Sequence, residues 1–149
     1  PDNGLSILDF GVVYKGYTSD TTLTVAKGTL TDEQEKQLEL VQKAYDECLK
    51  LYKPGNSILE AAKKADSIFM NAKRKMPHTL GHAIGLEIHE RPRVSSKNPA
   101  ELKFIPGMIL TLEPGLYDSE IGGTRLENDV LITPDGNEVI THSRIIRIK

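Results

Sequence analysis

Three of the chain's four histidines fall within twelve residues, at 78, 82 and 89 of HTLGHAIGLEIHE, interleaved with Glu87 and followed by Glu90. Imidazole carries protons near neutral pH and binds borderline metals. Clustering it in so histidine-poor a chain therefore points to a metal or acid–base site, against the plainer readings of a buried cluster or a pH-sensitive loop. Four carboxylates stand among apolar neighbours elsewhere: Asp9 in SILDF, Asp20 in the facing arm of the same hairpin, Glu113 ending MILTLE and Glu127 in RLENDVLI. Singly, each reads as a solvent-facing strand residue. Together, converging beside the histidines, they would carry a charge of about −4 and could not all stay ionised without compensation. Two divalent cations would supply it, and carboxylates with one imidazole suit manganese, cobalt, iron or zinc. Only one histidine need then be a ligand, which leaves two for the substrate. The zinc-helix pattern HExxH is not met: His78 and His82 are four apart, but Pro77 and Gly81 fit a loop or strand better than a helix.

The elements that must position these groups are legible. LSILDFGVVYKGYTSDTTLTV reads as two extended runs joined at Lys15-Gly16, a hairpin with Asp9 and Asp20 on its arms. A helical period follows in Leu38, Val41, Ala44, Tyr45, Cys48, Leu49 and Tyr52, opened by a Thr31/Gln34 capping box and stopped by Pro54-Gly55. Ser57 with Glu60 opens a second helix whose apolar stripe is Ile58, Ala61, Ala62, Ala65, Ile68 and Phe69. Lys63, Lys64, Lys73 and Lys75 around it read as a solvated face. Met108–Glu113 reads as a buried strand. Two strands about a PDG turn and a last extended stretch at Ile145–Ile148 complete the chain. Helices segregated from mostly hairpin-joined strands indicate an α+β fold.

Composition bounds the function. The chain has 149 residues, 27% charged and 38% apolar, with a net charge of −2. This suits a soluble domain with a sizeable core and gives no reason to expect nucleic acid or a membrane surface as partner. No apolar run is long enough for a span. The single cysteine, Cys48, cannot staple the fold and is compatible with a cytoplasmic protein. His142 reads as a surface residue, and the tyrosines as packing residues, with Tyr117 a possible pocket wall.

At these residues the chain resembles the catalytic domain of Xaa-Pro aminopeptidases and prolidases, the pita-bread dinuclear metallopeptidases. LDFGVVYKGYTSDTTLT, HTLGHAIGLEIHE, GMILTLEPGLY and GGTRLENDVLIT carry the resemblance almost from end to end. It implies that Asp9 binds one metal ion, His82 and Glu113 the other, and that Asp20 and Glu127 bridge them. It further implies a hydroxide held between the ions, with Glu113 handling its proton and His89 steadying the carbonyl oxygen. His78 and Arg125 match positions used in substrate binding and proton handling. The implied cofactors are two divalent ions, manganese or cobalt first, zinc or iron as alternatives. The implied substrates are short peptides with proline second, and the parent protein is expected to be a cytoplasmic homodimer.

The two glutamates stand fourteen residues apart, as in the proline-directed branch. Methionine aminopeptidases space them further apart and lack a counterpart of His78. Non-catalytic binding modules and creatinase-like relatives of this fold lack several of the ligands, whereas here the set is complete. Leu23, Ala83 and Leu126 depart from common family residues but are not ligands. The family's catalytic domain is larger than this chain, so residues 1–149 are expected to be a partial pita-bread domain lacking its N-terminal side. Such a piece should expose sheet edge and apolar surface, and should be incomplete as an enzyme.

Overall fold

The computed structural model describes residues 3–98 and 101–149. Strands β1 (Gly4–Phe10) and β4 (Thr21–Lys27) pair antiparallel from Gly4↔Lys27 to Phe10↔Thr21. The residues between them form a ribbon of β2 (Val13–Tyr14) and β3 (Tyr17–Thr18). Its two-residue turn, Lys15-Gly16, has φ of 51° and 85°, the positive pair that a type I′ turn requires. The expected hairpin is therefore present, with a separate tip. Asp9 lies near the end of β1, and Asp20 in the two-residue break before β4.

Helix α1 (Asp32–Leu49) carries the full Thr31/Gln34 capping box and buries Leu38, Val41, Ala44, Tyr45 and Cys48. It ends at Leu49, ahead of Pro54, and the chain tightens into a turn in which Tyr52 remains wholly buried. The Tyr52 hydroxyl donates to the Thr111 carbonyl at 2.9 Å, and its ring lies 4.6 Å from that of Phe104. Tyr52→Phe keeps the ring and removes the donor, so urea unfolding should show a loss of about 1–3 kcal/mol. Helix α2 (Ile58–Asn71) buries the whole predicted stripe. Its cap is half of what the sequence suggests: Ser57 accepts from the Glu60 N–H, but the Glu60 side chain turns to Lys63 instead.

After the helices come β5 (Gly81–Ala83), β6 (Glu90–Val94), β7 (Ile109–Leu112), β8 (Gly115–Asp118), β9 (Gly122–Arg125), β10 (Asn128–Ile132), β11 (Asn137–Val139) and β12 (Ile145–Ile148). Five of them make an antiparallel sheet in the order β11-β10-β7-β5-β6. Strands β8 and β9 form a hairpin, and β12 joins β4 in parallel. Alternation along each strand divides the five-stranded sheet into two faces. Leu110, Leu112, Val130, Ile132 and Ala83 belong to the core, with Val41, Ala44, Ala61 and Phe69 of the helices. Thr111, Glu113, Glu127, Asp129 and His82 fall on the other face. Reciprocal Thr22–Glu127 main-chain bonds, at 3.0 and 3.3 Å, tie β4 to the start of β10. The expected apolar surface is also present: Phe10, Val13 and Tyr14, on edge strand β1 and the hairpin tip, are 53%, 73% and 70% exposed. Among the described residues no helix is long and apolar enough to cross a membrane.

Candidate metal centre

The five ligand-type side chains singled out in the sequence meet on the face turned away from the helices. Asp9, Asp20 and Glu127 present oxygens all within 4.8 Å of one another, and His82, Glu113 and Glu127 do the same. Glu127 is common to both groups. A third group, Asp20, His82 and His89, meets the same limit, with the His82 and His89 rings 4.4 Å apart. Asp20, His82 and Glu127 are buried, Glu113 partly so, while Asp9 is exposed. It lies at the open end of β1.

Each group is held in place by its own element. Gly81 lets β5 close on β7, for a Cβ there would come within 2.0 Å of the Thr111 carbonyl oxygen. At that approach the His82 N–H donates to Thr111 Oγ1 at 3.0 Å, and the same hydroxyl lies 3.2 Å from Glu113 Oε1 and donates to it. His82 Nδ1 is 3.1 Å from the Ala83 carbonyl. A proton on Nδ1 satisfies that oxygen, leaving the Nε2 lone pair toward Glu113 Oε1 at 3.4 Å and Asp20 Oδ2 at 3.7 Å. Acceptors facing acceptors need a cation or a proton between them. Thr111→Val keeps the shape and removes the hydroxyl. It should weaken manganese binding, read by titration calorimetry, by about 10–100-fold, the usual cost of losing an outer partner of a metal ligand.

Arg125 closes the opposite side. Its guanidinium pairs with Asp9, donates to Tyr117 Oη at 2.9 Å and to Thr22 Oγ1 at 3.0 Å, and stands 3.7 Å from Glu127. Thr22 in turn donates to Glu127 Oε2. Tyr117 Oη is 2.9 Å from His78 Nε2, and His78 Nδ1 is 3.7 Å from Glu113. His78 and His89 thus flank the carboxylates from two sides. The two glutamates interleaved with the histidines stay outside the cluster: Glu90 accepts the N–H groups of Leu86 and Glu87 and shapes the loop that carries His89. His142 is exposed, as expected.

The electrostatics are those of a site short of positive charge. Burial raises the carboxyls of Glu113, Glu127 and Asp20, with neighbouring carboxylates adding to it, and raises Asp129 to about 6. Burial also lowers the proton affinity of His82 and His78, which favours their neutral forms. Among the described residues, Arg125 is the only lysine or arginine paired with any of these acids. Packed carboxylates and an imidazole with a lone pair toward them form a donor set that fits divalent ions, and the single arginine beside them leaves negative charge for such ions to offset. Sequence reasoning passed over Thr22, Thr111 and Asp129 and gave Tyr117 only a minor place. The period-two rule offered a signal for two of them, since Thr111 and Asp129 stand two residues from Glu113 and Glu127.

Comparison with known proteins gives a family and a fold. The model for metallopeptidase family M24 matches residues 1–134. An uncharacterised peptidase of Bacillus subtilis, YqhT, is 43% identical over 141 residues, covering 93% of this chain and 39% of that protein. A Xaa-Pro dipeptidase of Pyrococcus horikoshii is 38% identical over 143 residues, covering 92% and 39%. The crystal structure of the prolidase from Pyrococcus horikoshii superposes with a TM-score of 0.89 at 36% identity, over 93% of this chain and 40% of that one. The chain thus spans about 40% of the length of the curated relatives it matches.

Proposed function

The chain belongs to metallopeptidase family M24 and has its pita-bread fold, and from that premise we propose that it carries the metal-binding and catalytic groups of an exopeptidase that hydrolyses Xaa-Pro bonds. The observation that supports this most strongly is the pair of ligand groups sharing Glu127. Asp9, Asp20 and Glu127 would hold one divalent ion, and His82, Glu113 and Glu127 the other, with Asp20 bridging as well; manganese or cobalt is the preferred metal. When bound, the ions supply Lewis acidity for the scissile carbonyl and lower the pKa of the attacking water.

The chain's own residues do the rest. Glu113, partly buried beside His82 on the ligand-bearing face, is placed to take a proton from the attacking water and return it to the leaving nitrogen. His89, exposed on its loop beside His82, is placed to donate a hydrogen bond to the carbonyl oxygen as charge builds there. His78, braced by Tyr117 and the Thr79 carbonyl, faces the substrate side of Glu113. Three of the five guanidinium N–H groups of Arg125 are engaged by Asp9, Tyr117 and Thr22, which leaves two for a substrate oxygen. The substrates are short peptides with proline second, in a cytoplasmic protein whose full form is a homodimer and of which residues 1–149 are part of the catalytic domain.

The test is hydrolysis by the full-length protein supplied with manganese or cobalt. Proline released from Xaa-Pro dipeptides, or the first residue released from longer Xaa-Pro peptides, is the expected product. Bound metal without cleavage of either substrate would overturn the peptidase reading.

A further inference from the structure

Asp129 is a buried acid of the ligand-bearing face for which the chemistry above has no use. It is 3% exposed, and among the described residues its Oδ1 is the only buried side-chain nitrogen or oxygen without a hydrogen-bond partner. An unpaired carboxylate oxygen in the interior is costly, so the side chain's single engaged oxygen is the place to look for its role. That oxygen, Oδ2, accepts the Asp20 N–H at 3.1 Å. Asp20 lies in the break between β3 and β4, where its N–H finds no main-chain acceptor among the described residues.

Asp129 is itself rigidly mounted. Its N–H donates to Thr141 Oγ1 and its carbonyl accepts the Ile140 N–H, both at 2.8 Å. Across the ladder its partner is Thr111, which holds His82 and Glu113. One cross-strand pair therefore touches three of the candidate ligands. We propose that Asp129 is a positioning residue for Asp20: it fixes the main chain at the strand break and so sets the direction from which the Asp20 carboxylate enters the metal centre. This rests on the metal-centre reading above. What the centre needs from Asp129 is the acceptor, not the negative charge.

The experiment compares wild type with Asp129→Asn, which keeps an acceptor oxygen, and with Asp129→Ala and Asp129→Leu, which do not; leucine fills the space should the alanine cavity unfold the protein. Manganese titration calorimetry, cobalt absorption spectra and amide exchange at Asp20 are read on each. The expected result is near wild-type binding for the asparagine variant. The alanine and leucine variants should lose about 10–100-fold in metal affinity, with a shifted cobalt band and faster exchange at Asp20. Unchanged affinity and spectrum in a folded alanine or leucine variant would overturn the proposal. So would an asparagine variant as weak as alanine, since the charge would then be what matters. Wild type that binds neither metal would instead overturn the metal-centre reading, and the exchange rates would still report whether Asp129 holds Asp20.

Discussion

Glu127→Gln is expected to weaken divalent-ion binding by more than about 100-fold, beyond the usual range for losing an outer partner, while making the ion-free protein harder to unfold at pH 8. Both effects come from the same feature. Glu127 is 2% exposed and belongs to both ligand groups, so the amide removes a charged oxygen from each prospective ion at once. Without ions, the same carboxylate is a liability: burial and the nearby Glu113 charge both disfavour its ionised form. An amide of the same shape has no charge to desolvate, and the Thr22 hydroxyl that donates to Glu127 Oε2 can donate to the amide oxygen in its place. Calorimetric titration with manganese, together with thermal melts in chelator at pH 8, separates the two effects. A variant that binds manganese as wild type does would remove Glu127 from the centre. Loss of binding with lower ion-free stability would point to simple misfolding.

The hairpin, the two helices with their N-cap residues and the final strands could be read from the sequence because local rules decide them. Gly16 marks the tight turn on its own chemistry, and the α2 stripe needs only helical spacing. Long-range placement is what local rules miss. Nothing near Asp9 in the chain says that Arg125, 116 residues away, will pair with it on an edge strand. The Glu60 cap failed for a local reason: Lys63, three residues on, competes for the same carboxylate. At the candidate site the ligand types were visible because carboxylates among apolar residues and clustered histidines stand out. The threonines that orient them did not stand out, since a buried threonine in a strand is ordinary. Thr22 and Thr111 matter through whom they touch, which required the register of β4 against β10 and of β5 against β7.

Divalent-ion binding is expected to strengthen steeply as pH rises from 6 to 8, by about tenfold per pH unit for each proton the ion displaces. In the ion-free fold the carboxyls of Glu113 and Glu127 are raised above the ordinary 4.5, burial being the largest cause for each. They therefore hold protons that an incoming ion must expel. Higher pH removes those protons in advance, so the ion binds more tightly, until both carboxyls are ionised and the dependence flattens. Burial lowers the proton affinity of His82, so its share of this dependence shrinks and shifts toward lower pH. The sign for folding is the reverse. A carboxyl whose pKa is higher folded than unfolded contributes stability that is full below 4.5 and is lost as pH climbs through the raised values. Chelator-treated protein should therefore show a urea midpoint that falls over the interval in which its metal affinity rises. Bound metal should flatten that fall, since it takes the place of the protons. Titrations in buffers of different ionisation enthalpy count the protons released, with one to two per protein expected near pH 7 from these two carboxyls. A manganese affinity independent of pH between 6 and 8, with heats independent of the buffer, would mean that the carboxylates are already ionised without the ion, and that Arg125 and solvent suffice to hold them together.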